Sequence, residues 1–122
     1  MSDVHVRSLD HASVRITDLT HSRAFYEGLL GLKLAPRPDL GFPGTWYDLG
    51  GAQLHLVQQG KMFEDIDPTD PHVALRVESV ERVRQTLDAR GIPYVHFGGP
   101  QLWIRDPDGN VVELCEARKG SD

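Results

Sequence analysis

Four residues of the types that bind metal ions lie far apart along the chain: His11, His55, His72 and Glu113. Imidazole nitrogens together with a carboxylate oxygen suit a divalent cation such as zinc, nickel, cobalt, manganese or iron. His72 follows His11 by 61 positions and Glu113 follows His55 by 58, so the two spacings nearly agree. An internal repeat of about 60 residues would give the two pairs near-equivalent places in the fold, and the spacing therefore predicts one site built from both halves of the chain.

The repeat is visible in the local sequence patterns. Residues 10–34 read DHASVRITDLTHSRAFYEGLLGLKL and residues 71–95 read PHVALRVESVERVRQTLDARGIPYV. Each stretch begins with alternating apolar and polar residues, typical of a strand, and continues with a helical apolar stripe. Thr20 and Ser79 are suited to cap the two helices, and Gly31 and Gly91 to end them. The first helix is expected to place Phe25 and Leu29 on one face.

Each half then closes with a predicted hairpin. The first, TWYDLGGAQLHLV, turns at its two glycines, and the second, LWIRDPDGNVVELCEA, turns at DPDG. The repeating unit is βαβββ, which predicts an α+β fold of two tandem modules, at about 8–60 and 71–117. The acidic, proline-bearing segment between them, about 61–70, is expected to be a surface loop.

Strand alternation predicts where the four ligand-type side chains point. On its strand, His55 lies on the face opposite Leu54 and Leu56, and the other three have the same parity relative to their apolar neighbours. If the apolar faces pack on the helices, all four line the concave side of the sheet. A single strand histidine is more often a hydrogen-bonded core residue. Four at repeat-equivalent positions favour a metal site with one or two positions open for water or substrate.

Composition limits the function classes. A chain of 122 residues is the size of one domain, and a net charge of −5 argues against a nucleic-acid partner. Its single cysteine, Cys115, suits a reducing compartment, and the polar start MSDVHVRSLD lacks the apolar run of a signal peptide. We expect a cytoplasmic protein that neither binds nor crosses membranes.

Several motifs carry a resemblance to a known family. FYEGLLGL in the first helix, PHVALRV, and the DPDGN turn followed by VVEL are similar to the vicinal oxygen chelate superfamily, over roughly residues 8 to 117. That group includes glyoxalase I, methylmalonyl-CoA epimerase, extradiol dioxygenases, fosfomycin-resistance enzymes and bleomycin-binding proteins. The resemblance implies an eight-stranded cupped sheet around one divalent metal ion, which the substrate chelates through neighbouring oxygens. The family's metal positions fall on His11, His55, His72 and Glu113.

One of these positions departs from the best-known pattern. Proteins like glyoxalase I usually have Glu at the position of His55, and epimerases have Gln there. Dioxygenases and fosfomycin enzymes use a His, His, Glu set that matches His11, His72 and Glu113. Two roles for His55 stay open: a fourth ligand or a catalytic base. Glu113 is the other candidate base, because it could loosen from the metal to take a proton.

Five further residues are candidates for contact with the substrate. Arg15 and Arg76 have the same parity as the histidines and could clamp an anion, although each could instead meet solvent or an acidic neighbour. In glyoxalase I-like proteins an arginine four residues after the first ligand reads glutathione, and Arg15 has that place. Trp46, Trp103 and Gln101 are expected to wall the pocket, with core packing the alternative for the tryptophans.

Three functional hypotheses follow. The first is a metal-dependent, glyoxalase I-like lyase or isomerase that stabilises an enediolate-type intermediate of a small oxygen-chelating substrate. The second is an extradiol-type dioxygenase with Fe(II), or a fosfomycin-type thiol transferase. The third is a non-catalytic drug-binding resistance protein. The resemblance favours a twofold homodimer, and the metal site could form within one chain or across that dimer.

Overall fold

Eight strands form one mixed sheet in the computed structural model, which describes residues 4–117. The first module contributes β1 to β4 and the second β5 to β8. Their bounds are β1 Val6–Arg15, β2 Lys33–Ala35, β3 Gly44–Asp48, β4 Gln53–Val57, β5 His72–Val77, β6 Val95–His96, β7 Gln101–Arg105 and β8 Val111–Cys115.

The strand order shows the internal repeat directly. Across the sheet it reads β2-β3-β4-β1-β5-β8-β7-β6, so the second half follows the same order as the first, reversed. β1 and β5 pair antiparallel at the centre, and each is flanked by the last strand of its own module in parallel pairing. The predicted fold class is confirmed, with an open rather than a closed sheet.

The two helices differ although their modules are related. α2 spans Val80–Arg90 and is capped at its start by Ser79, as predicted. Its C-terminal cap is Gly91, which has the positive φ of 66° that favours glycine. α1, Leu19–Arg23, is capped by Asp18 rather than by Thr20, because the extended Asp18 accepts a hydrogen bond from the backbone of His21. It continues as a π-helical segment, Ala24–Leu29.

The helices also pack differently. α2 buries Val80, Val83 and Leu87 in a cluster that includes Leu102 and Leu114 of the sheet. No residue of α1 or of the π-helical segment is buried, and Phe25 and Leu29 are 48% and 73% exposed. The wider π turn, seen in the bond from Leu30 N to Phe25 O, changes which side chains share a face.

The segment between the modules is not wholly on the surface. Residues 60–65 are exposed, but Ile66 packs against Trp103 and Val111. The side chain of Asp67 is fully buried. Its carboxylate accepts hydrogen bonds from the backbone N–H groups of Met62, Phe63 and Thr69 and from the Thr69 hydroxyl. The expectation of a plain surface loop was therefore wrong for its second half, because this carboxylate satisfies the backbone donors that burial would otherwise leave unpaired.

Neither helix of the described residues has the length and apolarity that crossing a membrane requires.

Candidate metal centre

Two neighbouring rows of paired residues run across the middle of the sheet and carry the candidate site. The first row contains Trp46, His55, Ser13 and His72. The second contains Gln53, His11, Ala74, Glu113 and Trp103. Paired residues in a sheet share a face, so the pleat directs both rows to one side. Ser13 and Ala74 are small and buried, which leaves room between the larger side chains on either side.

Three of the four expected ligands meet at this point. One nitrogen each from His11 and His72 and one oxygen from Glu113 lie within 4.8 Å of one another. The Nε2 atom of His11 is 3.4 Å from Glu113 Oε1, and the Nε2 atom of His72 is 3.1 Å from the same oxygen. All three side chains are buried, so little water competes for these atoms.

The other nitrogen of each imidazole is fixed by an acceptor. His11 Nδ1 lies 2.6 Å from Asp10 Oδ2, and His72 Nδ1 lies 2.5 Å from the carbonyl oxygen of Asp70. Neither acceptor can donate, so each ring keeps a proton on Nδ1. The proton that Nε2 shares with Glu113 is the one a metal ion would displace, and the Nε2 lone pair then points into the cluster. Histidines that bind metal ions are oriented by acceptors of this kind.

The charges of the cluster also suit a cation. Burial alone would raise the pKa of Glu113, but hydrogen bonds from His11 and His72 lower it to about 2, so the carboxylate is ionised at neutral pH. Burial lowers the pKa of His11, while hydrogen bonds to Asp10 and Glu113 outweigh that effect and raise it. Trp103 donates its indole N–H to Glu113 Oε1 over 3.2 Å. The donor types, their tautomers and the ionised carboxylate fit a divalent metal ion with two imidazoles and one carboxylate as ligands.

His55 lies beside this cluster. Its ring stacks on His11, with centroids 3.9 Å apart, and on Trp46, with centroids 4.1 Å apart. Stacked rings present their faces to each other, while nitrogen lone pairs lie in the ring plane. His55 Nε2 is 2.9 Å from Gln53 Oε1, and His55 is not part of the group of converging donor atoms found in residues 4–117.

The cluster opens into a cavity of about 700 Å³. Trp46, Trp103 and Gln101 line it, in the places that the sequence predicted for them. The segment before β3 also lines the cavity, through Arg37, Leu40 and Phe42. Most of the wall is apolar, while the candidate ligands supply a polar floor, as in many small-molecule sites.

Arg15 and Arg76, which were expected to face the pocket, do not line this cavity in the described structure. Arg15 donates to Asp70, Thr69 and the carbonyl of Gln59, which places its charge at the end of β1. Arg76 donates to Asp10 Oδ1 over 2.8 Å. Arg76 therefore contacts the carboxylate that orients His11, and both guanidinium groups already have a carboxylate partner.

Two residues around the site were missed by sequence reasoning. Asp10 comes directly before His11, and strict alternation would turn it to the opposite face. An irregularity in the β1–β5 pairing between Leu9 and His11 makes the approach possible. The adjacent DH pair was the available signal. Arg37 lies in a segment without periodicity, so no pattern singled it out.

One known protein family matches the chain over most of its length. Residues 8–114 match the family model described as the Glyoxalase/Bleomycin resistance protein/Dioxygenase superfamily. The chain belongs to this superfamily. Glyoxylase I 4 of Arabidopsis thaliana is 34% identical to it over 125 residues, covering 92% of the chain and 72% of the relative. A lactoylglutathione lyase of Salmonella typhimurium is 32% identical, covering 88% of the chain and 91% of the relative.

The similarity to a solved structure supports the fold. Methylmalonyl-CoA epimerase from Mycobacterium tuberculosis superposes with a TM-score of 0.73, covering 98% of the chain and 94% of the epimerase. The two sequences are 20% identical, so the similarity shows that the chain and the epimerase share a fold.

Proposed function

We propose that this superfamily member is a divalent-metal-dependent lyase or isomerase of glyoxalase I type. It would act on a small oxo compound or its thiol adduct and stabilise the enediolate formed when a proton is removed beside a carbonyl. The convergence of His11, His72 and Glu113 on the floor of a largely apolar cavity carries the proposal. The names of the two relatives, Glyoxylase I 4 and lactoylglutathione lyase, support the same reaction class.

The proposed metal ligands are His11, His72 and Glu113. A divalent ion held by them would supply Lewis-acid stabilisation of a developing oxyanion. Hydrogen bonds within the protein orient these donor atoms. Asp10 and the carbonyl of Asp70 keep the two imidazole protons on Nδ1, and Trp103 fixes one carboxylate oxygen of Glu113. Such a preorganised site needs no reorientation of its ligands during the reaction.

The proposed proton carriers are Glu113 and His55. Glu113 is ionised and lies at the centre of the cluster. His55 faces the cavity from the neighbouring row, and its Nε2–H donates a hydrogen bond to Gln53 Oε1. The tryptophans on either side would exclude water from the reacting atoms, and Gln101 adds a polar contact at the wall.

The test combines metal analysis with turnover. We expect the purified protein to bind about one equivalent of a divalent metal and to isomerise hemithioacetals of methylglyoxal. His72→Ala should lose both properties, because it removes one of three donors. His21→Ala is the matched control, since the His21 side chain is 87% exposed, and it should keep both. A wild-type protein that binds no metal, or a His72→Ala variant that keeps full turnover, would contradict the proposal.

The position of His55 outside the cluster of converging donors favours a second candidate function. Because His55 is hydrogen-bonded to Gln53, the converging donors are two imidazoles and one carboxylate. This ligand set is typical of non-haem Fe(II) oxygenases. The chain could then be an extradiol-type dioxygenase, or a metal-dependent thiol transferase. Oxygen consumption with catechols in the Fe(II) form would support oxygenation, and thiol addition to an epoxide would support transfer. Sequestration of a drug without catalysis is less well supported, because it does not need an intact ligand set.

We also propose a twofold homodimer that works in the cytoplasm on small-molecule substrates. Four apolar side chains of the first module, Phe25, Leu29, Leu30 and Leu34, are exposed in the single chain and support association with a second copy. Cys115 is the single cysteine of the sequence and its side chain is buried, which suits a reducing compartment. The ligands of the proposed centre all come from one chain. Sedimentation velocity at several protein concentrations tests the assembly, and a monomer throughout would contradict it.

A further inference from the structure

Arg37 lies between β2 and β3, where its guanidinium packs over the backbone of Gly44. A β-carbon at Gly44 would lie 2.8 Å from Arg37 Nη2, 3.0 Å from its Nε and 2.5 Å from the carbonyl oxygen of Leu56. These separations are too short for any side chain. Glycine at position 44 therefore provides the space in which this guanidinium is held against the sheet.

The charge of Arg37 is not balanced by a carboxylate. Its Nη2 atom donates to the carbonyl of Phe42 over 2.8 Å, and its Nε–H is buried without an acceptor in residues 4–117. Among the described residues no carboxylate lies within ion-pair distance of it. The carboxylate of Asp39 accepts from the backbone N–H of Gly41 instead. Burial lowers the pKa of Arg37, with Asp39 as a weaker opposing influence, but a guanidinium keeps its charge at any physiological pH.

This situation distinguishes Arg37 from the other arginines near the centre. Arg15 is paired with Asp70 and Arg76 with Asp10, so neither has a charge to offer a ligand. Among the described residues that line the cavity, Arg37 is the only arginine or lysine. The guanidinium carbon of Arg37 lies 5.3 Å from the centroid of the Phe42 ring, a cation–π contact that offsets part of the cost of burial but supplies no counter-charge. A partly buried cation without a counter-charge favours an anionic ligand.

The distance from Arg37 to the proposed metal centre fits a ligand that reaches both. Gly44 and Trp46 are two residues apart on β3 and share a face, which corresponds to roughly 7 Å along the strand. From Trp46 the stacked rings of His55 and His11 lead to the ligand cluster. Arg37 and the cluster thus line the same cavity at a separation on the order of 10 Å.

We propose that Arg37 binds the carboxylate end of the substrate, so that the substrate class is an acid whose carboxylate lies several bonds from the oxygens presented to the metal. This inference rests on the proposed function and extends it, because it names which thiol adducts or oxo compounds the cavity would take. The planar guanidinium offers several N–H donors, of which the described residues use one, and its geometry matches a carboxylate.

A binding experiment tests Arg37 without relying on turnover. The probes are 4-phenylbutyrate and its neutral amide, and the signal is the fluorescence of Trp46 and Trp103, which both line the cavity. We expect the metal-loaded wild type to prefer the carboxylate by about tenfold or more. Arg37→Gln should lose that preference, and Arg37→Lys should keep part of it. Arg82→Gln, which removes one exposed positive charge from α2, should behave as wild type.

Two outcomes would overturn the inference: a wild type that does not distinguish the carboxylate from the amide, or an Arg37→Gln variant that keeps the preference. In the second case, loss of the preference in His72→Ala would place the carboxylate at the metal centre instead.

Steady-state kinetics of the Arg37→Gln variant test whether Arg37 binds the substrate of the proposed reaction. The substrates are hemithioacetals of methylglyoxal with 6-mercaptohexanoate and with 6-mercaptohexanol, which differ in charge at one end. We expect Arg37→Gln to raise KM about tenfold for the anionic adduct alone, with kcat little changed. Equal effects on both adducts would overturn the assignment. If the wild type converts neither adduct, the proposed function fails, while the binding experiment still decides whether Arg37 recognises a carboxylate.

Discussion

The imidazole of His55 lies parallel to the indole of Trp46, with ring centroids 4.1 Å apart and an interplanar angle of 6°. The opposite face of the same imidazole stacks on His11. His55 is thus held between two rings, with one nitrogen directed to Gln53. This arrangement supports the proposal that His55 carries a proton rather than binding the metal.

His55→Ala should keep the metal and lose turnover. Because His55 is outside the converging donors, we expect metal affinity to change by no more than about tenfold, the lower end of effects on residues that support ligands. His72→Ala should weaken binding by a factor on the order of 100 or more, since a donor is removed outright. Competition titration with a metal-sensitive dye measures both. Equal losses in the two variants would mean that His55 coordinates the metal.

Asp10→Asn should weaken metal binding by about 10- to 100-fold without unfolding the chain. The amide cannot hold the Nδ1 proton of His11 as firmly as a carboxylate does, so Nε2 is less well directed at the metal. It also removes the negative charge that pairs with Arg76. The readout is metal affinity together with the circular dichroism spectrum. Asp108→Asn, at an exposed turn, serves as the control, and an unchanged affinity in Asp10→Asn would contradict the orienting role.

Asp67→Asn should destabilise the protein by about 1.5–3 kcal/mol at neutral pH, because two backbone donors would face the new amide group instead of a carboxylate oxygen. Burial raises the pKa of Asp67, but the bonds from Thr69, Met62 and Phe63 lower it below its ordinary value of 3.8. The contribution of this carboxylate is therefore present above pH 3.8 and is lost as the pH falls through the lower folded pKa.

Urea unfolding of the wild type and of Asp67→Asn at pH 7 and in acid measures this difference. The gap between the two proteins should narrow in acid. A gap that stays constant with pH would show that the charge of Asp67 contributes nothing to folding.

Gly91→Ala should cost about 1–2 kcal/mol, because the residue that ends α2 has a φ of 66°, which side chains other than glycine disfavour. No atom would touch the added methyl group, so the effect isolates backbone strain. Gly28→Ala is the matched control: it also has open space, but its φ is not positive, and it should be neutral or slightly stabilising. Thermal or urea unfolding compares them, and equal stability of the two variants would be evidence against the strain argument.

Much of the fold and part of the centre could be predicted from the sequence. Alternation along the strands and the near-equal spacings indicated two βαβββ modules and a shared face for His11, His72 and Glu113, because both follow from the geometry of paired strands. The hairpin glycines and the cap at Ser79 depend on neighbouring residues alone, and they too were predicted correctly.

Other features depend on contacts between distant residues, which no local pattern records. The irregular pairing near Asp10 exists only because β1 meets β5. The stacking of His55 between two rings requires Trp46 on the next strand. The buried Asp67 and the unbalanced Arg37 lie in segments without periodicity, where only the folded chain determines what surrounds a side chain.

The antiparallel seam between β1 and β5 joins the two modules, and the three proposed ligands lie on both sides of it. His11 comes from the first half of the chain, while His72 and Glu113 come from the second. A bound ion would therefore tie the association of the halves to its own affinity, and neither half could separate without giving up a ligand. Raising the metal concentration above the dissociation constant would then strengthen the cooperativity of unfolding, so that the duplicated halves melt together as one unit.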